Sequence, residues 1–387
     1  MSFKPLFSRA LSLAPGRLHF AAHSHHLWPD VSFEAQQAAW DDAARHADRK
    51  WDLIFGEIVP EAQGHVAREL GLPSSDSVVF APNTHDLLVR ILSGVERRPA
   101  RILSTDGEFH SFRRQALRWE EAGRVVVERV PVDPFADFGD RFLAAARRGD
   151  HDLILVSQVF FRSGRVFDRL AELAALARPD GPWVVVDGYH GFMALPTDLS
   201  ALADRLFYVA GGYKYAMAGE GACFLHAPPG FCPRPVVTGW FAEFGDLEGP
   251  VGGVGYRADG GRFWGATFDV SALYRFNAVR RLLDDQGLTT AGIADHASGL
   301  QARFAQALGD GDCGPLSDAE VLNPITDDAA RARFLALRHP RAAAWRAALL
   351  ERGVVTDVRD DVIRFGFGLY QDEADLEALI AACAALD

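Results

Sequence analysis

The chain has 387 residues, 49% apolar and 24% charged, with 40 Lys and Arg against 52 Asp and Glu and a formal net charge of −12. That length admits one large folded unit and a smaller one, each with its own core, and the composition excludes a disordered or fibrous chain. The acidic balance argues against a nucleic-acid or anionic-membrane partner, and no run approaches the eighteen or so apolar residues of a spanning helix.

At the N-terminus the apolar stretch is interrupted by Ser8 and Arg9, a poor secretory signal. Cys223, Cys232, Cys313 and Cys383 lie far apart with no C-x-x-C pair, so reduced thiols and a cytoplasmic location are expected. From Pro29 to about Leu53 the pattern predicts a helix with Phe33, Gln37, Trp40 and Ala44 on one face. A second helix, Val59 to Leu70, is closed by the stop signals Gly71 and Pro73.

The middle of the chain alternates short β-branched runs with helical stretches. The runs are Ser77–Phe80, Arg101–Ser104, Val125–Val132, Leu153–Val159, Trp183–Asp187, Arg205–Val209 and Ala222–His226. Such alternation predicts βαβ units and a mostly parallel seven-stranded sheet flanked by helices, an α/β fold buried on both faces. Ligands of such sheets collect at the carboxyl ends of strands. From about Ser271 the composition turns helical; VVTDVRDDVIRFGFGLY then alternates like a hairpin, and EADLEALIAACAAL reads as a closing helix. The large unit is therefore expected over residues 61–270 and a smaller α+β unit over 271–387.

Residues just after the strand runs carry the chemistry. The run Trp183–Asp187 ends in a carboxylate, with His190 three residues on, and the next run leads into Gly-Gly-Tyr-Lys-Tyr, containing Tyr213 and Lys214. One Asp after a strand is often a helix N-cap, and one Lys after a strand is usually solvated. Together at consecutive strand ends, with Gly219 and Gly221 following, they are hard to read as structural. A lysine amine can form a Schiff base, a carboxylate facing a pyridine nitrogen keeps it protonated, and a histidine beside that carboxylate can orient it. These are the residue types that pyridoxal-5′-phosphate (PLP) chemistry needs.

The segment resembles the fold-type I PLP enzymes of the class V aminotransferase superfamily, and kynureninases within it. The Asp-x-x-His pair, the Tyr-Lys-Tyr, SQVFFRSGRVFD at 157–168, Gly239-Trp240 after Pro235, and DVIRFGFGLY at 361–370 are similar to that family's motifs and follow in the same order. The resemblance implies that Lys214 bonds the cofactor and shuttles protons, that Asp187 pairs with the pyridine nitrogen with support from His190, and that Tyr213 contacts the phosphate. Asn83 and Thr84, in APNTHDLL, match a phosphate-binding turn that opens a helix, although an ordinary N-cap reads the same way. Trp240 and Thr267 match positions that reach the phosphate from a neighbouring subunit, which implies a homodimer; Trp240 also reads as a plain core or interface aromatic. Arg364 matches the arginine that holds the substrate carboxylate, and an unpaired arginine inside so apolar a run would be costly. Either Phe109 or His110 stacks on the cofactor ring. The family shape implies that residues 1–60 form an arm and helix packing on the smaller unit.

Two stretches depart from the kynureninase pattern. Thr267 stands where that family has a substrate-side asparagine, and AAHSHHLWP replaces its glycine-rich N-terminal motif. Ser24 keeps its place there and, with His25, is expected near the substrate. The spacing of His23, His25 and His26 is not a standard ligand pattern, so no metal is expected. The implied activity is that of a PLP-dependent hydrolase cleaving the Cβ–Cγ bond of L-kynurenine or a related amino acid, with an aminotransferase or C–S lyase as the alternative.

Overall fold

The computed structural model describes residues 2–243, 252–325 and 330–387. Near the start, β1 (Leu18–His19) precedes a helix over Val31–His46. A seven-stranded sheet follows, made of β2 (Val78–Ala81), β3 (Ala100–Thr105), β4 (Val125–Val130), β5 (Leu153–Ser157), β6 (Trp183–Asp187), β7 (Leu206–Ala210) and β8 (Cys223–His226). The remaining strands are β9 (Glu320–Val321), β10 (Phe334–Arg338), β11 (Val354–Val355), β12 (Asp357–Arg359) and β13 (Val362–Gly366).

The seven strands lie in the order β2-β8-β7-β6-β5-β3-β4. Pairings are parallel from β4 through β7, and β8 runs antiparallel to both β7 and β2. Every residue of β2, β5, β7 and β8 is buried, because helices cover both faces. Each fully buried Val or Leu contributes roughly 1.5–3 kcal/mol, so these short runs are held chiefly by burial. The expected strands are all present, with the third and fourth shorter than their apolar runs because the chain turns away after Val130 and Ser157.

Strand order reverses between β3 and β5, which leaves a crevice at the carboxyl edge of the sheet. The β5 exit forms a tight loop across that edge, with Val159 bridging Val166 and Gly164 at φ 69°.

The helix Val59–Leu70 has the expected bounds, and Gly71 closes it in the left-handed conformation at φ 65°. The face expected for the earlier helix is overturned. Phe33 is 48% and Trp40 71% exposed, while Ser32 and Ala35 are the buried residues. Packing against the helix Ser271–Asp285 selects the small side of the cylinder, where close approach is possible. Ser271–Asp285 itself buries Leu273, Phe276, Val279 and Leu283 in the core of the seven-stranded sheet.

A second core contains Leu300, Phe304, Trp345, Ile363, Phe365 and Leu379, beneath the four-stranded antiparallel sheet β12-β13-β10-β9. The predicted hairpin is β12 and β13, turned at Asp360 and Asp361 with Asp360 at φ 52°. The closing helix Glu373–Ala384 starts with a capping box between Asp372 and Asp375. β1 pairs with β11 and Ala21 bridges Gly366, so the N-terminal segment lies along this second sheet. Among the described residues no helix is long and apolar enough to cross a membrane.

Candidate active site

A cavity of about 190 Å³ opens at the carboxyl edge of the large sheet. Its lining follows from strand topology. β2 delivers Asn83, Thr84 and His85; β3 delivers Phe109; β5 delivers Ser157, Val159 and Phe161; β6 delivers Asp187, Tyr189 and His190; β7 delivers Tyr213 and Lys214. β8 runs the other way, so its first residue, Cys223, is the one that reaches this edge.

Lys214 is buried and its Nζ lies 2.6 Å from His190 Nε2. The amine also sits 4.8 Å from the centre of the Tyr189 ring and 5.6 Å from that of Phe109. Burial pulls the Lys214 ammonium down to about 7, against the attraction of Asp187. Asp187 ends β6 and its Oδ1 accepts the Tyr189 backbone N–H at 2.9 Å. Burial raises its carboxyl above the ordinary range, opposed by that hydrogen bond and by Lys214. A neutral amine at near-neutral pH is the form that attacks a carbonyl carbon.

His190 differs from expectation. It makes no hydrogen bond to Asp187; Nε2 faces Lys214 and Nδ1 has no partner among the described residues. The turn closed by Gly191 N–H and Phe192 N–H onto the Gly188 carbonyl carries residue 190 away from the strand end, and a main-chain N–H takes its place at Asp187.

Asn83 caps the helix Thr84–Ser93, its Oδ1 accepting the Asp86 N–H at 2.9 Å. The same turn lines the cavity, so the capping and anion-binding readings describe one feature: a helix N-terminus aimed at the site. Of the two candidate stacking residues, Phe109 lines the cavity, whereas His110 begins the helix His110–Glu121 and is exposed. Tyr213 lines the cavity and burial pushes its phenol up to about 12. His25 stacks on the Tyr213 ring at 5.7 Å and lies 3.6 Å from Glu220 at the rim. Ser24 is half-buried in a turn onto the Ala21 carbonyl and does not line the cavity.

Trp240 and Thr267 also lie outside it; Trp240 Nε1 donates to Thr267 Oγ1 at 3.2 Å on an exposed part of the chain. Arg364 stands one residue behind the lining. It donates through Nη1 to the Phe161 carbonyl and pairs through Nη2 with Asp357.

Several residues in or beside the cavity wall went unread in the sequence. Tyr189 and Cys223 sit in runs that look like plain core, yet their side chains meet at 3.5 Å beside Asp187. Glu108 stands next to Phe109 and is buried, accepting hydrogen bonds from Thr105 Oγ1 at 2.7 Å and Ser157 Oγ at 2.6 Å. Burial pushes its carboxyl up to about 7. Only its place after a strand marks it in the sequence. Among the described residues no group of three or more His, Cys, Asp or Glu is arranged to hold a metal.

A carboxylate, a depressed amine, an aromatic face and a helix N-terminus thus converge on one cavity. That donor set fits a flat aldehyde bearing a basic ring nitrogen and a phosphate.

The aminotransferase class-V family model matches residues 42–310, and that of the kynureninase C-terminal domain matches residues 297–383. A kynureninase from Deinococcus radiodurans is 29% identical over 381 residues, covering 92% of this chain and 86% of that protein. A probable cysteine desulfurase from Vibrio cholerae is 26% identical, covering 83% and 80%. Among solved structures, the cystine C–S lyase C-DES with its product cysteine persulfide superposes with a TM-score of 0.80 at 19% identity, covering 97% and 99%.

Proposed function

Since the chain belongs to the class-V aminotransferase family and its cofactor is pyridoxal 5′-phosphate, we propose that it is a hydrolase of kynureninase type, cleaving the Cβ–Cγ bond of L-kynurenine or a related γ-oxo-α-amino acid. The products are alanine and an aromatic acid. The observation that carries this reading is the convergence of Lys214, Asp187 and Phe109 on one cavity with Arg364 directly behind its wall. The match of the kynureninase C-terminal domain over 297–383, a span that includes Arg364, supports it.

When bound, the cofactor supplies an electron sink that makes removal of the substrate's α-proton affordable. Lys214 would hold it covalently, Asp187 would face its ring nitrogen, Phe109 would cover its face, and the turn at Asn83 and Thr84 would receive its phosphate. Tyr213 adds a phosphate contact. The Lys214 amine takes the proton from Cα and returns it. Arg364 orients the substrate through its carboxylate, a task suited to a planar guanidinium. Water adds to the γ-carbonyl, and its hydroxyl ends in the released acid. Tyr213 Oη, protonated at neutral pH like any phenol and pushed further up by burial, relays the proton that Cβ gains as the bond breaks. The protein works as a homodimer in which Trp240 and Thr267 reach the phosphate region of the neighbouring subunit.

An aminotransferase or C–S lyase acting on another amino acid is the second reading, favoured by Thr267 at the position where kynureninases carry asparagine. Mass spectrometry of products from PLP-loaded protein and L-kynurenine separates the two. Alanine with anthranilate, absent with Lys214→Ala, is the expected result. No alanine, with cofactor absorbance still responding to other amino acids, moves the function to the second reading.

A further inference from the structure

Three of the buried polar atoms without a hydrogen-bond partner among the described residues are both ring nitrogens of His23 and Nε of Arg364, two side chains that flank Asp357. His23 is fully buried and stacks on Phe334 at 4.6 Å, with Nε2 only 3.8 Å from Asp357 Oδ2. Asp357 bridges two guanidiniums: Oδ2 pairs with Arg364 Nη2, and Oδ1 accepts from Arg359 Nη1 at 2.6 Å. The Asp357 side chain is 11% exposed and that of Arg364 3%.

A guanidinium holds a carboxylate best through two adjacent N–H groups. Arg364 has spent Nη1 on the Phe161 carbonyl. The edge left for a ligand is Nε with Nη2; Nε is unpartnered, and Nη2 is held by Asp357. A carboxylate arriving at that edge shares Nη2 with Asp357 and sets a second negative charge against it, which favours moving Asp357 aside. The displaced side chain keeps Arg359 on Oδ1, and His23 Nε2, now 3.8 Å from Oδ2, comes into hydrogen-bond range with a shift of about 1 Å.

We propose that Asp357 is a specificity-determining positioning residue, an internal carboxylate that occupies half of the carboxylate-binding edge of Arg364 and moves onto Arg359 and His23 when a ligand takes that edge. A simple carboxylic acid replaces Asp357 like for like and adds a negative charge beside it, so it gains little. An α-amino acid brings its own ammonium, which offsets that charge. The arrangement selects α-amino acids over their des-amino analogues. This rests on the reading of Arg364 as the carboxylate-binding residue.

The test is calorimetric titration of the PLP-loaded protein with propionate, the des-amino analogue of alanine. Asp357→Asn is expected to tighten propionate on the order of tenfold, the scale of one charge-assisted hydrogen bond released, and Arg364→Gln to abolish binding. Arg359→Gln is expected to weaken propionate by leaving Asp357 more firmly on Arg364, and that weakening is expected to vanish in the double variant with Asp357→Asn. Melting temperatures check that each variant folds; a purely structural ion pair would lose affinity and stability together and could not yield a gain. Loss with Arg364→Gln but no gain with Asp357→Asn overturns the proposal and leaves the reading of Arg364 standing. Undiminished binding with Arg364→Gln overturns both.

Discussion

Two regions of this molecule position charged side chains in different ways. At the carboxyl edge of the seven-stranded sheet, parallel strands end together, and whatever residue follows a strand is delivered to one cavity. At the edge of the four-stranded sheet, charged residues sit within an antiparallel hairpin and must neutralise one another: Asp357 and Arg359 on β12, Arg364 on β13. The first region leaves its amine and carboxylate open to a cofactor; the second ties its cation to a neighbouring carboxylate and a main-chain carbonyl. Topology suffices to position the first, whereas the second depends on individual side-chain pairings.

The sharpest test of this contrast lies in the cavity. Lys214→Ala is expected to lower turnover by about 10³-fold or more, the scale of losing a proton-transferring group together with the covalent hold on the cofactor. Borohydride reduction followed by mass measurement should find the cofactor adduct in the wild-type protein and not in the variant; an adduct elsewhere breaks the assignment. In the second region Arg364→Gln is expected to raise KM roughly 100-fold while changing kcat less, because the lost contact serves substrate binding throughout the reaction. Equal losses in kcat and kcat/KM would make Arg364 a transition-state contact instead.

The pH dependence is a smaller effect and belongs to the cavity alone. With the folded-state value of Lys214 pulled down to about 7, the amine is protonated below that pH and neutral above it. The rate at which cofactor-free protein captures PLP should fall about tenfold per unit below pH 7 and level off above 8. A continued rise toward pH 10 in stopped-flow absorbance would mean an ordinary lysine. Smallest of all is Trp40→Ala on the exposed face of the helix Val31–His46. As a surface change in the single chain it should alter stability by about 0.5 kcal/mol or less. A larger loss in thermal or urea unfolding, dependent on protein concentration, would reveal that a second subunit covers this face.

What was legible in the sequence was whatever depends on near neighbours in the chain. The seven β-branched runs, the stop at Gly71, the hairpin around Asp360 and the closing helix all follow from local periodicity and turn chemistry. Lys214 and Asp187 stand out because each follows a strand, and parallel topology turns that single position into convergence on one edge, whereas Tyr213 and Asn83 are marked by their resemblance to class V motifs. Tertiary packing decided the rest. It turned the Phe33–Trp40 face outward, since the smaller residues opposite allow helices to approach, and it set His190 against the lysine rather than the aspartate. It also chose Phe109 over His110 for the cavity wall, and it brought His23 to Asp357 across more than three hundred residues of chain. Periodicity fixes which residues leave a strand or helix together; only the meeting of distant segments determines which buried charges find partners and which polar atoms are left for a ligand.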